Sequence, residues 1–352
     1  MFEELGDVRH GEELELDALA EYLRQRLPTP FERVEARQFL GGSSNLTYLI
    51  NLGSKEYVLR RPPFGNTVQT AHDMRREYEV LLILAKLYPP APEPFLYCDD
   101  EAVIGAEFYL MKRRRGLVLR GDAPSELAES KEMQRGVCSS FINELARLHA
   151  VDFANTRLAA IGKPEGYCQR QVVGWTQRYD AARTHEHGEL EQVKQWLNER
   201  IPKETGAAVV HNDYKFDNVM LHPEDLARVT AVLDWEMVTI GDPLMDLGTT
   251  LGYWISADAG EEMMSMPFNP RVLMESVTRR ELADMYQSAS GRDTSDILYY
   301  YVFGTFKIAV IAQQIYARYV KGSTKDSRFA NFDRFVATLG RIAAGAIERG
   351  TV

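Results

Sequence analysis

The chain has 352 residues, of which 45% are hydrophobic, with 41 Lys and Arg against 51 Asp and Glu and a formal net charge of -10. That apolar content fills a core and excludes a disordered chain. The acidic balance excludes a phosphate-coated polymer as the main partner, because non-specific nucleic-acid binding is driven by neutralising phosphates. Cys98, Cys138 and Cys168 lie far apart with no Cys-x-x-Cys pair, so neither a zinc cage nor a disulfide framework is expected, and a reducing cytoplasm is the expected location.

The opening MFEELGDVRHGEELEL is acidic and lacks the basic-then-apolar pattern of a secretory signal. Over residues 16–27 apolar side chains recur at helical spacing, and Pro28 and Pro30 close the element. Three short strands follow at 34–40, 46–52 and 56–59, separated by the turns Gly41-Gly42-Ser43-Ser44-Asn45 and Gly53-Ser54-Lys55. Residues 74–87 have helical composition and end at a stretch containing Pro89, Pro90, Pro92 and Pro94, and 108–111 read as another strand.

After Gly116 the texture changes to long helical patterns at 125–150, 170–183, 190–200, 271–285 and 296–320. Only 208–210, 219–221 and 229–234 read as short strands there. The most apolar run, 297–316, is interrupted by Gly304, Lys307, Gln313 and Gln314, which makes it a buried core helix and not a membrane span. The expected architecture is α+β: a small strand-rich lobe, residues 1–112, and a larger helical lobe, residues 113–352.

The chemistry-bearing stretch is His211-Asn212-Asp213-Tyr214-Lys215-Phe216-Asp217-Asn218, followed by Val232-Leu233-Asp234-Trp235-Glu236. Phosphoryl transfer from ATP needs a carboxylate to orient and deprotonate a hydroxyl, and oxygen ligands to hold Mg2+ on the phosphates. Asp213 and Asn218, on a loop bounded by apolar strands, can face one cavity as base and metal ligand, and Asp234 adds a second hard oxygen donor. Taken singly, His-x-Asp is also ordinary loop chemistry and Asp234 a plain strand end. The joint pattern His-x-Asp-x-Lys-x-x-Asn plus a downstream strand ending in Asp matches the catalytic loop of kinase-like folds.

The chain resembles the aminoglycoside phosphotransferase and choline kinase-like family, and is similar to the branch associated with acyl-CoA dehydrogenases. HNDYKFDNVM at 211–220, VLDWE at 232–236 and GDPLMDL at 241–247 carry the likeness, with weaker support from YVLRRPP at 57–63, RREYEVL at 75–81 and ELARLHAVD at 144–152. The resemblance implies a protein-kinase-like two-lobed fold, Asp213 as catalytic base, and Asn218 and Asp234 as magnesium ligands. It also implies that Arg60 is the strand cation on the ATP phosphates and Glu77 its helix partner. Protein kinases place a lysine where Arg60 stands; an arginine reaches phosphate as a bidentate fork.

Lys215 departs from the antibiotic-modifying members, which usually place a histidine there, and resembles the lysine that neutralises charge on the transferring phosphoryl group in protein-serine kinases. A solvent-facing lysine is the other reading. Gly41, Gly42, Ser43, Ser44 and Asn45 can drape backbone amides over phosphates, or form an ordinary hairpin turn. Met111, at the end of its strand, is counted with them among the nucleotide-binding residues. Asp242 reads as the cap of a helix opening with Pro243; by resemblance Asp246 braces the catalytic loop, while His149 reads as a packed core histidine. Lys112 to Arg115 is either a solvated charge run or a contact for an anionic group.

Gln171, Trp175, Arg178, Trp254, Met263, Met264, Met266 and Phe268 fall in stretches expected to build the acceptor site, although the Met and aromatic residues also read as core. Polycationic antibiotics call for carboxylates. The mix of apolar side chains with arginines instead suits an acceptor with an apolar part and an anionic end, and the branch resemblance implies the same kind of acceptor, a hydroxy acid or hydroxyacyl-CoA. The expected function is therefore ATP- and magnesium-dependent phosphoryl transfer to a small-molecule hydroxyl, with no nucleic-acid or membrane partner and with an acyl-CoA dehydrogenase as associated protein. A nucleotide-binding pseudokinase scaffold and an aminoglycoside-modifying kinase are the alternatives.

Overall fold

The strand segments near the N-terminus pair into one antiparallel sheet. The computed structural model describes residues 5–28, 30–41, 45–64, 73–256, 259–264, 268–324 and 326–352. The chain divides into two compact units, Met1–Arg115 and Gly116–Val352.

In the first unit β1 (Leu5–Gly6) precedes helix α1 (Leu16–Arg24), then β2 (Val34–Phe39), β3 (Leu46–Leu52), β4 (Lys55–Arg61), helix α2 (Met74–Leu87), β5 (Pro94–Cys98) and β6 (Phe108–Lys112). The sheet order is β1-β2-β3-β4-β6-β5. Alternation along β3 and β4 sends Tyr48, Ile50, Leu52, Tyr57 and Leu59 to one face, where they pack with Leu19 and Leu23 of α1 and with Phe108 and Leu110. Gly53 makes the β3–β4 turn with φ +62°, a conformation that favours glycine. Helix α2 starts where Asp73 accepts a hydrogen bond from Arg76 N–H (2.8 Å). Strand β5 went unread because prolines surround it. Pro94 is tolerated as the first residue of an edge strand, which has a side with no ladder to satisfy.

The second unit runs β7 (Leu117–Val118), α3 (Ser125–Glu129), α4 (Lys131–His149), α5 (Tyr167–Ala182), α6 (Gly188–Glu199), β8 (Ala208–Val210), β9 (Val219–His222), β10 (Asp225–Val232) and β11 (Thr239–Gly241). Helices α7 (Pro243–Gly252), α8 (Glu261–Met264), α9 (Arg271–Ser276), α10 (Arg279–Ser290), α11 (Ile297–Val320) and α12 (Phe332–Arg349) complete it. Its strands form a β10-β9-β7 sheet and a β11-β8 pair.

Two expected helices are each two. Ser130 interrupts 125–150 and caps α4 by accepting from Met133 N–H (3.2 Å), and Thr278 interrupts 271–285 with a full capping box to Glu281. The expected strand 229–234 ends at Val232, so Asp234 lies beyond it in a turn. Among the described residues no helix is long and apolar enough to cross a membrane; α11 is instead buried along most of its length.

Helices α7 and α11 cross almost backbone to backbone. A Cβ on Gly304 would come within 2.1 Å of Gly248 O, and one on Gly248 within 2.2 Å of Tyr300 O. Only glycine permits this approach. It brings Asp246 on α7 and Lys307 on α11 to the turn that follows β8.

Candidate active site

The turn after β8 carries His211 to Asn218, and its backbone is held chiefly by one buried carboxylate. Asp246 accepts from the N–H of His211 (Oδ2, 2.6 Å), from the N–H of Asn212 (Oδ1, 2.7 Å) and from His149 Nε2 (3.1 Å). His149 is itself held through Nδ1 by the Tyr286 hydroxyl (2.7 Å). Burial works against a charge on Asp246, but the bonds from His149 and the His211 backbone hold its carboxyl below the usual range. Asp242 caps α7 by accepting from Leu244 N–H (2.8 Å).

Asn212 is fastened on every side. Its carbonyl accepts from Lys307 Nζ (2.6 Å), its Nδ2 donates to Met237 O (3.0 Å), and its Oδ1 accepts from the Tyr167 hydroxyl (3.2 Å). Asn212 (φ 68°) and Asp234 (φ 64°) are the two non-glycine residues in the left-handed region among the described residues. Such backbone costs about 1–3 kcal/mol and persists where surrounding bonds over-determine it.

These ties present Asp213. Its Oδ2 accepts from Lys215 Nζ (2.7 Å) and Asn218 Nδ2 (2.9 Å), and its Oδ1 from the Tyr253 hydroxyl (2.7 Å). Burial raises the carboxyl, but the Lys215 charge and the hydrogen bonds from Lys215 and Tyr253 outweigh it and hold Asp213 below the usual range. The reciprocal effect keeps Lys215 protonated: burial opposes its charge, and Asp213 raises it. Lys215 also lies over the Tyr253 ring, 5.0 Å from its centroid.

The β9–β10 ladder joins the backbone of Asn218 to that of Leu233, the residue before Asp234. Val219 pairs with Val232, and Leu233 N–H donates to Asn218 O (2.8 Å). Leu233 O in turn accepts from His211 Nε2 (2.8 Å), so Asp234 emerges beside the same loop. Asn218 Nδ2 serves both Asp213 O and Asp213 Oδ2 (2.9 Å each), which turns the amide oxygen away from Asp213. An amide oxygen and a carboxylate are hard oxygen donors, and this pair suits Mg2+, which binds few protein ligands and keeps waters.

In the first unit Arg60 Nη2 lies 3.6 Å from Glu77 Oε1, and both side chains are buried. Met111 on β6 is buried opposite Val58. Gly41 is half-buried and Asn45 buried, whereas Gly42, Ser43 and Ser44 lie outside the described residues. Arg113 and Arg115 pair with Glu56 (2.7 and 2.5 Å), which accounts for part of the basic run as a surface ion-pair cluster.

Of the stretches expected to hold the acceptor, Trp254 is core, its Nε1 donating to Val277 O (2.7 Å), and Met263 and Met264 are buried. Trp175 is buried beneath Arg178, whose guanidinium lies 4.6 Å from the ring, and Lys307 approaches the same ring at 5.6 Å. Phe268 packs on Tyr253 (5.2 Å), and Met266 lies outside the described residues. Tyr253 and Lys307 are the site residues that sequence reasoning missed. The one available signal was a lysine at the centre of an otherwise apolar helix, where a charge persists only with a partner.

The profile of the phosphotransferase enzyme family matches residues 35–268. Acyl-CoA dehydrogenase family member 11 of Gallus gallus is 34% identical over 341 residues, covering 95% of this chain and 43% of that protein. The chain thus spans less than half the length of that relative. A Ralstonia eutropha structure described as a candidate aminoglycoside phosphotransferase superposes with a TM-score of 0.80 at 28% identity, covering 96% of this chain and 99% of the other. Choline kinase of Cryptosporidium parvum has the same kinase-like fold, with a TM-score of 0.66 at 11% identity, covering 95% of this chain and 97% of the other. By its sequence match over most of its length and by its fold, this chain belongs to the phosphotransferase enzyme family.

Proposed function

We propose that this protein is a small-molecule kinase that moves the terminal phosphoryl group of ATP onto a hydroxyl of an acceptor with an apolar part and an anionic end, a hydroxy acid or hydroxyacyl-CoA. The observation that carries this reading is the setting of Asp213. A carboxylate offers about four acceptor positions, and Lys215, Asn218 and Tyr253 take three of them. Oδ1 keeps a place for one more donor, the acceptor hydroxyl.

The acceptor oxygen forms a bond to phosphorus as the bond to the bridging oxygen of ADP breaks, and the hydroxyl proton passes to Asp213 and then to solvent. A carboxyl held below its usual range is a weak base, which suits a loose transition state in which the hydroxyl loses its proton late. Asp213 therefore acts chiefly by orientation. Lys215 offsets charge on the transferring group. Asn218 and Asp234 would hold magnesium, which when bound neutralises charge on the phosphates. Arg60, steadied by Glu77, is the proposed phosphate cation of the first unit, and Gly41 to Asn45 with Met111 are the proposed nucleotide contacts.

The buried thiols Cys98, Cys138 and Cys168 fit a reducing cytoplasm. An acyl-CoA dehydrogenase is the proposed partner, because a relative bearing that name extends well beyond the matched region. The test is ADP release by the purified full chain with ATP, magnesium and a panel of hydroxy acids and hydroxyacyl-CoAs. Asp213→Asn should lower kcat by about 10²- to 10⁴-fold without loss of fold. Absence of both nucleotide binding and transfer would sink the proposal; binding without transfer to any acceptor would favour a scaffold.

A further inference from the structure

The segment that reaches the proposed base at Tyr253 continues to a cavity. It has a volume of about 270 Å³ and is lined by Ser256, Arg279, Thr338, Arg341, Ile342 and Arg349. Its charged lining residues are all arginines, and among the described residues no carboxylate lines it.

Arg279 is 7% exposed. Its Nε donates to Trp254 O (2.7 Å), its Nη2 to Ser256 Oγ (2.7 Å), and the guanidinium lies 4.6 Å from the Tyr301 ring centroid. Every one of these partners is neutral. A buried charge is ordinarily matched by an opposite one, so a guanidinium held, among the described residues, by a carbonyl, a hydroxyl and a ring face is poised for an anion. Arg341 repeats the pattern at the rim, its Nη2 donating to Thr338 Oγ1 (2.7 Å).

The size narrows the ligand. Ligand pockets for whole small molecules span about 300–1,000 Å³, so this cavity suits one anionic group. Forked guanidinium donors match phosphate oxygens in pairs.

We infer that this cavity binds a phosphate group and anchors the anionic end of the acceptor. The inference rests on the reading of Asp213 as the base for such an acceptor. The covalent path supports it: Tyr253 holds Asp213, Trp254 holds Arg279, and Ser256 lines the cavity.

The experiment is calorimetry on the full chain after its nucleotide site has been filled with AMP-PNP and magnesium. The probes are coenzyme A, dephospho-coenzyme A, pantetheine and pyrophosphate. Coenzyme A should bind, pantetheine should not, and affinity should fall with salt. Arg341→Gln, at the exposed rim, should weaken coenzyme A by about tenfold with an unchanged melting temperature; Arg279→Gln should weaken it further. Tighter binding of coenzyme A than of pyrophosphate assigns the anion to the acceptor. Equal binding of the two assigns a free phosphate and overturns the anchoring role. Equal affinity of wild type and Arg341→Gln overturns the site. Failure to bind AMP-PNP would instead count against the kinase reading.

Discussion

Replacing Lys307 by methionine should separate stability from activity, with a sign that depends on pH. The side chain is 2% exposed, and its Nζ donates to Asn212 O (2.6 Å). Burial lowers its pKa from 10.5 to about 8, against the favourable fields of Asp213 and Asp246 and with the unfavourable ones of Lys215 and Arg178. That displacement corresponds to about 3 kcal/mol against the charged form. At pH 7, Lys307→Met removes this penalty and loses a charged hydrogen bond of about 1.5–3 kcal/mol, so the two forms should agree within about 2 kcal/mol. Between about pH 8 and 10.5 the unfolded wild type binds a proton that the folded state does not. Its stability therefore rises with pH relative to the variant, by about 3 kcal/mol across that window, and stays level below it.

Urea denaturation of both proteins at intervals from pH 6.5 to 10.5 measures the difference curve directly, because every other titrating group is common to both. A difference that does not change with pH would refute the argument. The proposed activity should meanwhile fall by on the order of 10- to 100-fold at pH 7, since the peptide before Asp213 loses its anchor. A variant as stable as wild type yet much slower would show that the buried charge is kept for position and not for stability.

Tyr253→Phe keeps the ring against Phe268 and removes one donor from Asp213. The Asp213 carboxyl should rise toward its ordinary range, so stability and transfer should both begin to fail at a higher pH on acidification than in wild type; carboxyl-carbon NMR of Asp213 reads the shift. Gly304→Ala forces a Cβ within 2.1 Å of Gly248 O, where backbone and not a flexible side chain must give way. It should destabilise by about 1–3 kcal/mol or more, and calorimetric melting measures it.

What the sequence revealed follows from where the signals are local. His211 to Asn218 and Asp234 stood out because carboxylates and amides cluster there just after the short strands β8 and β10. Helix α2 was legible because its period, its Asp73 cap and the following prolines agree. The breaks at Ser130 and Thr278 were overlooked, since apolar periodicity runs through them and neither is Gly or Pro; Thr278 with Glu281 three residues on was the one local mark. Helix α12 was missed although it is amphipathic, because no chemistry drew attention to it. Tyr253 stands 40 residues from Asp213, and Lys307 stands 95 residues from Asn212. Nothing in a one-dimensional pattern pairs them.

Those distant contacts explain how the motif keeps its shape. A left-handed asparagine between His211 and Asp213 would relax if left alone. It is clamped on both sides of its own residue, Asp246 of α7 taking its N–H and Lys307 of α11 donating to its carbonyl. The two clamps carry opposite charge and sit on helices whose spacing is set by Gly248 against Gly304. A tight crossing of two buried helices thus becomes a fixed torsion in the loop. That torsion in turn sets the direction in which Asp213 points.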